Sequence, residues 1–270
     1  MSKKLLSVPY LVWSALFILI PLCMVFYYGL TDKTGAFTLE NILAITTPEH
    51  SKALWEAVKL SLVSTGLCLL LAYPLAMILC NMNFRQDTFL VFLFVLPMWM
   101  NFLLRTIAWQ SLLEKTGVIN GILAWLRLPA LNIINTPGAI VLGMVYNFLP
   151  FMVLPLYNVL VKIDRNVINA ARDLGANSFQ TFLKILLPLS VPGIISGITM
   201  VFVPALTTFV ISRLLGGGKI LLIGNIIEEE FTRTGNWNLG SGLSIVLMLF
   251  IILNMVITAV TDKDGEVNAL

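Results

Sequence analysis

The residues equipped for chemistry in this chain of 270 are few, and most stand together in 163–188, IDRNVINAARDLGANSFQTFLKILLP, a charged island between two long apolar runs. Lys162, Asp164, Arg165, Arg172, Asp173 and Lys184 cannot sit cheaply in a bilayer. Val167, Ile168, Leu174, Phe179, Phe182 and Leu183 are too apolar for an idle linker. The chemistry such a mixture serves is recognition, because its apolar side chains call for another surface to cover them. Catalysis is not indicated. His50 is the only histidine and falls in a predicted outer loop, and the chain has no H-E-x-x-H and no paired intramembrane aspartates. No catalytic residue and no metal ligand is expected.

Arg105 is the one charged residue well inside a predicted span, where an unpaired charge costs roughly 3 kcal/mol or more. It is expected to face the bundle interior or to snorkel outward, as a structural pair or as the lining of a polar pathway. Trp99, Asn101 and Trp109 share its span, and Tyr146 and Asn147 lie on the next one. Their rings and amides suit either an interfacial aromatic belt or a path that holds an organic cation. Glu228, Glu229 and Glu230 form an acidic face in a predicted outer loop, either solvated or a docking surface or entry funnel for cations. The nearby run Leu215-Gly216-Gly217-Gly218-Lys219-Ile220 lacks the G-x-x-x-x-G-K-[ST] spacing, so ATP binding by this chain is not expected.

The elements that position these residues follow from composition. With 58% hydrophobic residues, 11% charged residues and a mean hydropathy of +0.92, the chain lies far outside the soluble range. About 20 apolar residues cross a bilayer, and six stretches are long enough: roughly 8–30, 54–80, 88–113, 137–161, 189–213 and 240–261. The expected fold class is an all-α integral membrane protein forming a single domain over 1–270, since no period of 20 to 50 residues and no low-complexity linker interrupts it. The first stretch follows Lys3-Lys4 without a small-residue cleavage site, which reads as a retained span. Cys23, Cys68 and Cys80 are expected to be free, buried thiols. The net charge of +3 carries no basic run, so nucleic acid is not an expected partner; membrane lipid is.

Between the fourth and fifth spans, Asp164 suits the N-cap of a short helix and Gly175 a left-handed C-terminal turn. Asn177 with Gln180 resembles a capping box opening a second helix that runs to Leu187-Pro188. On the fifth span Gly193 and Gly197, with Ser196, form a small-xxx-small face for packing within the chain or at a rocking subunit interface. Pro74, Pro97, Pro150, Pro155 and Pro204 are expected to kink spans.

The run Ala170-Ala171-Arg172-Asp173-Leu174-Gly175-Ala176, followed by Phe179, Ile185 and Leu187-Pro188, resembles the EAA loop of ABC importer permeases. The departure is Asn169, where that pattern usually has Glu. Residues 149–157, 188–197 and 217–225 extend the likeness to PotB-type permeases of spermidine/putrescine importers. The resemblance implies a type I importer fold of six transmembrane helices with a cytoplasmic coupling helix in loop 162–188. It implies that Ala170, Ala171, Asp173, Leu174, Gly175, Ala176 and Phe179 contact an ATPase, while Glu228, Glu229 and Glu230 remain the candidate face for docking a binding protein. The implied partners are a PotC-like second permease, a PotA-like ATPase dimer that holds ATP and Mg, and a PotD-like extracytoplasmic polyamine-binding protein. It also implies a bacterial plasma membrane location with both termini cytoplasmic. Charge alone does not set that orientation, because eight Lys and Arg fall on each side in either direction. An ion-coupled carrier or channel is the rival class; it would show intramembrane ionisable sites or interrupted helices and would have no need of the charged loop.

Overall fold

The computed structural model describes residues 3–81 and 96–267, which are helical apart from loops and one antiparallel bridge between Thr31 and Phe37. Residues 88–95, the start of the third predicted span, and Arg85 lie outside the described residues. Among the described residues, four helices are long and apolar enough to cross a membrane: Pro9–Gly29, Pro48–Cys80, Pro137–Leu160 and Trp237–Thr258. Ser178–Leu189 and Val191–Thr207 qualify only as a pair, bent by 66°.

Two predicted spans, in which Pro97 and Pro204 were expected to cause kinks, are interrupted outright. In the third, a tight turn over Leu96–Trp99 ends before Asn101, and a new helix, Phe102–Leu113, begins. Asn101 causes the restart: its side-chain oxygen accepts from the N–H groups of Leu103 at 2.9 Å and Leu104 at 3.2 Å. In the fifth, Val191–Thr207 stops and Val210–Leu215 resumes after an extended Thr208. Thr207 Oγ1 donates to the carbonyls of Val203 at 3.1 Å and Pro204 at 3.4 Å, competing for acceptors that a continuing helix would use. A short helix, Val118–Trp125, also stands where the sequence suggested only loop. Asn120 pins it by donating to the carbonyls of Glu114 and Leu131 while accepting from the Leu131 N–H at 2.8 Å.

Contacts gather in two compact units, residues 1–55 with 223–253 and residues 56–222 with 254–270. In the first, the Pro9–Gly29 span has none of its most apolar window buried, while its end is held by amides. Asn238 donates to the Thr31 carbonyl at 2.7 Å and Asn41 donates to the same oxygen at 2.8 Å. A Cβ on Gly29 would meet Ile245 Cδ1 at 2.5 Å, and one on Gly242 would meet Asn41 Cβ at 2.5 Å, so only glycines allow this approach. The exposed turn beyond it is tied by Asp32, which accepts from the Thr34 hydroxyl and the Ala36 and Thr34 N–H groups. The Thr34 hydroxyl and these amides hold the Asp32 carboxyl below its usual range. The turn's contribution is therefore full above the ordinary Asp value and is lost as pH falls through the lowered one. Cys23 is exposed in this unit, against the expectation of burial, because the outward face of a lipid-covered helix needs no internal partner.

The second unit is built on Val191–Thr207 lying along Pro137–Leu160. Gly193 faces Pro155 and Val159, and Gly197 faces Met152; both glycines are buried. The small-xxx-small face is thus used inside the chain. Met152, Leu156, Val201 and Ala205 close the interface with no exposure. Gly143 admits Ile211 and Leu215 from Val210–Leu215 in the same way. In hydrocarbon such close packing, rather than escape from water, holds helices together.

A Cβ on Gly193 would lie 3.0 Å from Val159 Cγ2 and 3.1 Å from the Pro155 carbonyl, whereas one on Gly197 meets the flexible Met152 thioether. Gly193→Leu is expected to cost about 1–3 kcal/mol of stability by forced separation, and Gly197→Ala clearly less. Thermal unfolding in detergent checks both, and equal midpoints for the two variants would contradict the packing described.

Candidate functional site

The charged island folds as a knuckle of two helices. Asp164 opens Arg165–Asp173 by accepting from the Asn166 N–H at 2.9 Å. The helix ends through two backbone bonds, Gly175 N–H to Arg172 O at 2.9 Å and Ala176 N–H to Ala171 O at 3.0 Å. Gly175 has φ +84°, and nothing lies within 4 Å of a Cβ built there. Its requirement is therefore conformational and not steric. Asn177 and Gln180 then form the reciprocal box, with the Gln180 N–H donating to Asn177 Oδ1 at 2.8 Å and the Asn177 N–H to Gln180 Oε1 at 3.0 Å.

The second helix does not stop at Pro188. It runs through Ser178–Thr181, a wide π turn over Phe182–Leu186, and Leu187–Leu189. The π turn passes its last bond to the Leu187 N–H, so Pro188, which has none to give, follows without conflict. The bend comes at Ser190, whose hydroxyl pairs with Tyr73 OH at 2.7 Å. The Tyr73 ring meets Phe182 edge-on at 5.3 Å, so the Pro48–Asn81 helix braces the knuckle from behind. Neither Tyr73 nor Ser190 was singled out from sequence; a lone phenol in an apolar run was the available signal.

The seven predicted coupling residues are brought together but not alike. Leu174 is 89% exposed and Phe179 68%, with Ala170, Asp173 and Gly175 also exposed; Ala176 is half-buried and Ala171 is buried inward. A rigid, doubly capped turn thus carries bare apolar side chains at its tip.

The pathway candidates divide. Trp109 and Tyr146 meet edge-on at 5.1 Å, and about two turns back along the Phe102–Leu113 helix Phe102 stacks on Phe148 at 6.4 Å. Arg105, three residues from Phe102 and four from Trp109, shares the face that meets Pro137–Leu160 and is 6% exposed. Its Nε and Nη1 have no hydrogen-bond partner among the described residues. Asn147 is 1% exposed; its amide nitrogen donates to Gly143 O at 2.9 Å and its Oδ1 is unmatched. Trp99 lies before the break at Asn101 and is 76% exposed, and the Asn101 oxygen is occupied by capping.

Each of the three glutamates is engaged within its own helix. Glu229 pairs with Arg233 at 2.8 Å, Glu230 accepts from Thr234 Oγ1 at 2.7 Å, and Glu228 accepts from Thr232 Oγ1 at 3.3 Å. They are half-buried, and the exposed Arg233 pair contributes little to stability.

Residues 69–263 match the family of binding-protein-dependent transport system inner membrane components. The chain belongs to this family. Among its relatives, the spermidine/putrescine transport system permease protein PotB of Haemophilus influenzae is 38% identical over 249 residues, covering 89% of this chain and 87% of that protein. The Escherichia coli K12 protein of the same name is 37% identical over 245 residues, covering 88% and 89%. The inner membrane ABC transporter permease protein YdcU of Escherichia coli is 30% identical over 251 residues, covering 88% and 79%. A chain from the crystal structure of a bacterial alginate ABC transporter, in complex with its alginate pentasaccharide-bound periplasmic protein, superposes with a TM-score of 0.79. It covers 94% of this chain and 91% of that chain at 14% identity, a likeness of fold alone. This permease is accordingly a multi-pass inner membrane transport component with the all-α fold of ABC importer permeases.

In the permease, Gly175→Val is expected to strain the turn by about 1–2 kcal/mol while leaving membrane insertion intact. Hydrogen exchange at the Gly175, Ala176 and Gln180 amides should quicken about tenfold for such a loss, with Pro137–Leu160 unchanged. Gly175→Asn, which tolerates a positive φ, should show less. Unaltered exchange in the Val variant would remove the turn's assigned role.

Proposed function

We propose that this permease forms half of the translocation pathway of an ATP-driven importer of polyamines, spermidine or putrescine, energised by a separate ATPase that grips the 163–188 knuckle. The observation that carries the reading is the tip of the knuckle, where Leu174 and Phe179 stand bare on a turn fixed by two caps. Burying each such side chain contributes about 1.5–3 kcal/mol, enough for the pair to anchor a partner. Ala170, Asp173, Gly175 and Ala176 frame that contact, and Ala171 supports it from inside. The partner ATPase dimer holds ATP and Mg and performs the hydrolysis; this chain performs none.

The substrate class is supported by the names of the 36–38% identical relatives. Ring faces at Trp109 and Tyr146 suit an organic cation, with Trp99, Asn101 and Arg105 on the same stretch of chain. A second, PotC-like permease completes the pathway. A PotD-like polyamine-binding protein delivers the substrate from outside at the face bearing Glu228, Glu229 and Glu230. Both termini then lie in the cytoplasm.

The test is ATP-dependent uptake of labelled spermidine by the complete complex in vesicles. Leu174→Ser/Phe179→Ser is expected to insert normally yet to reduce ATPase co-purification and uptake at least about tenfold. Normal uptake with the double variant would overturn the docking role. A cysteine at position 174 that reacts only with an external impermeant reagent would overturn the orientation. Trp109→Ala should lower spermidine uptake at normal expression; unchanged uptake would remove the aromatic contact from the pathway.

A further inference from the structure

Behind the exposed tip, on the side facing the span ends, the knuckle lines a half-open cavity of about 350 Å³ whose arginines and Asn169 stay exposed. One wall is polar. Arg165, Asn169 and Arg172 fall at i, i+4 and i+7 of the Arg165–Asp173 helix and so present one face, and Ser178 opens the second helix opposite them. The other wall is apolar, made by Met77, Leu160 and Leu186 at the inner ends of membrane helices. Among the described residues no carboxylate lines the cavity and neither arginine forms an ion pair. Asp164, the acid next to Arg165, is engaged in capping. Thr181, also in the wall, is 3% exposed and donates its hydroxyl to the Asn177 carbonyl at 3.0 Å, which keeps the second helix fixed against the cavity.

Two guanidinium groups with no counter-charge, an amide and a hydroxyl within one half-open cavity are the donor set of a phosphate site, since planar guanidinium forks match phosphate oxygens. The apolar wall beside them suits the first carbons of an acyl chain. We infer that this cavity binds an anionic phosphate group through Arg165 and Arg172, with the headgroup of an anionic phospholipid as the ligand that satisfies both walls. The placement among span ends holds on either side of the membrane, so the site does not depend on which substrate is carried.

The test uses the full-length permease in its complex, delipidated in mild detergent and titrated with phosphatidylglycerol, phosphatidylcholine or inorganic phosphate under native mass spectrometry. The wild type is expected to retain phosphatidylglycerol over phosphatidylcholine. Arg165→Gln/Arg172→Gln should lose that retention about tenfold or more, and Arg165→Lys/Arg172→Lys, which keeps the charge, should retain most of it. Failure of inorganic phosphate to displace the lipid supports the lipid headgroup as the source. Displacement at equal concentration supports the phosphate chemistry but assigns it to a soluble anion. Equal phosphatidylglycerol retention by the wild type and the Gln variant, or no preference over phosphatidylcholine, would overturn the site. Loss of polyamine uptake in other variants leaves this readout unmoved, so the two readings fail separately.

Discussion

The contact of Gly193 and Gly197 with Pro137–Leu160 is what the rest of the larger unit leans on. Lipid tails are as apolar as leucine, so helices in a bilayer are held by close surfaces rather than by escape from water. The absence of a side chain at two positions one turn apart lets Val191–Thr207 lie against Pro155, Val159 and Met152. Because Val191–Thr207 continues from Ser178–Leu189 through a 66° bend, fixing one fixes the other. The bend itself is held where Ser190 and Tyr73 meet, with Phe182 edge-on to the same ring.

That arrangement gives the knuckle a mechanical character. Its own hydrogen bonds are local, from Asp164, Gly175, Asn177 and Gln180, and keep its shape without help from the membrane. The chain joins it to the spans at both ends, and Tyr73 adds side-chain contacts with Ser190 and Phe182 at the end of the second helix. The helix that carries Phe179 runs on to the bend, and the bend leads to the glycine contact. Pro137–Leu160 bears that contact at Met152 and Pro155, and its earlier turns carry Phe148 and Tyr146 against Phe102 and Trp109. The connected elements are packed and bonded along their length, which is the physical requirement for moving as a body.

Local signals were the legible ones. Asp164, Gly175 and the Asn177–Gln180 box each act over four residues or fewer, and all were readable because capping chemistry depends on spacing along the chain. Span breaks were less legible. A hydropathy window cannot see that the Asn101 oxygen turns to cap Phe102–Leu113, or that Thr207 takes the carbonyls of Val203 and Pro204. The same limit explains Pro188, where a π turn absorbs the missing donor and the helix runs on. Long-range pairs such as Tyr73 with Ser190, 117 residues apart, or Asn238 with Thr31, leave no mark in local pattern. Glycine pairing was half legible, since the spacing of Gly193 and Gly197 identified a close-contact face but not its partner.

Three features of different chemistry are left uncovered among the described residues. Arg105 is buried with no partner there for Nε and Nη1, and a desolvated charge without an acceptor costs several kcal/mol. Leu174 and Phe179 expose apolar surface on the charged knuckle. The most apolar window of Pro9–Gly29 buries none of its residues within the chain. Lipid answers the last of these, but neither of the others. The guanidinium calls for an acceptor and the tip for an apolar surface, since neither group is covered among the described residues. Asn147, in the same unit as Arg105, leaves an acceptor unmatched at Oδ1 where Arg105 leaves donors unmatched, so the unpaired polarity among the described residues is of both kinds.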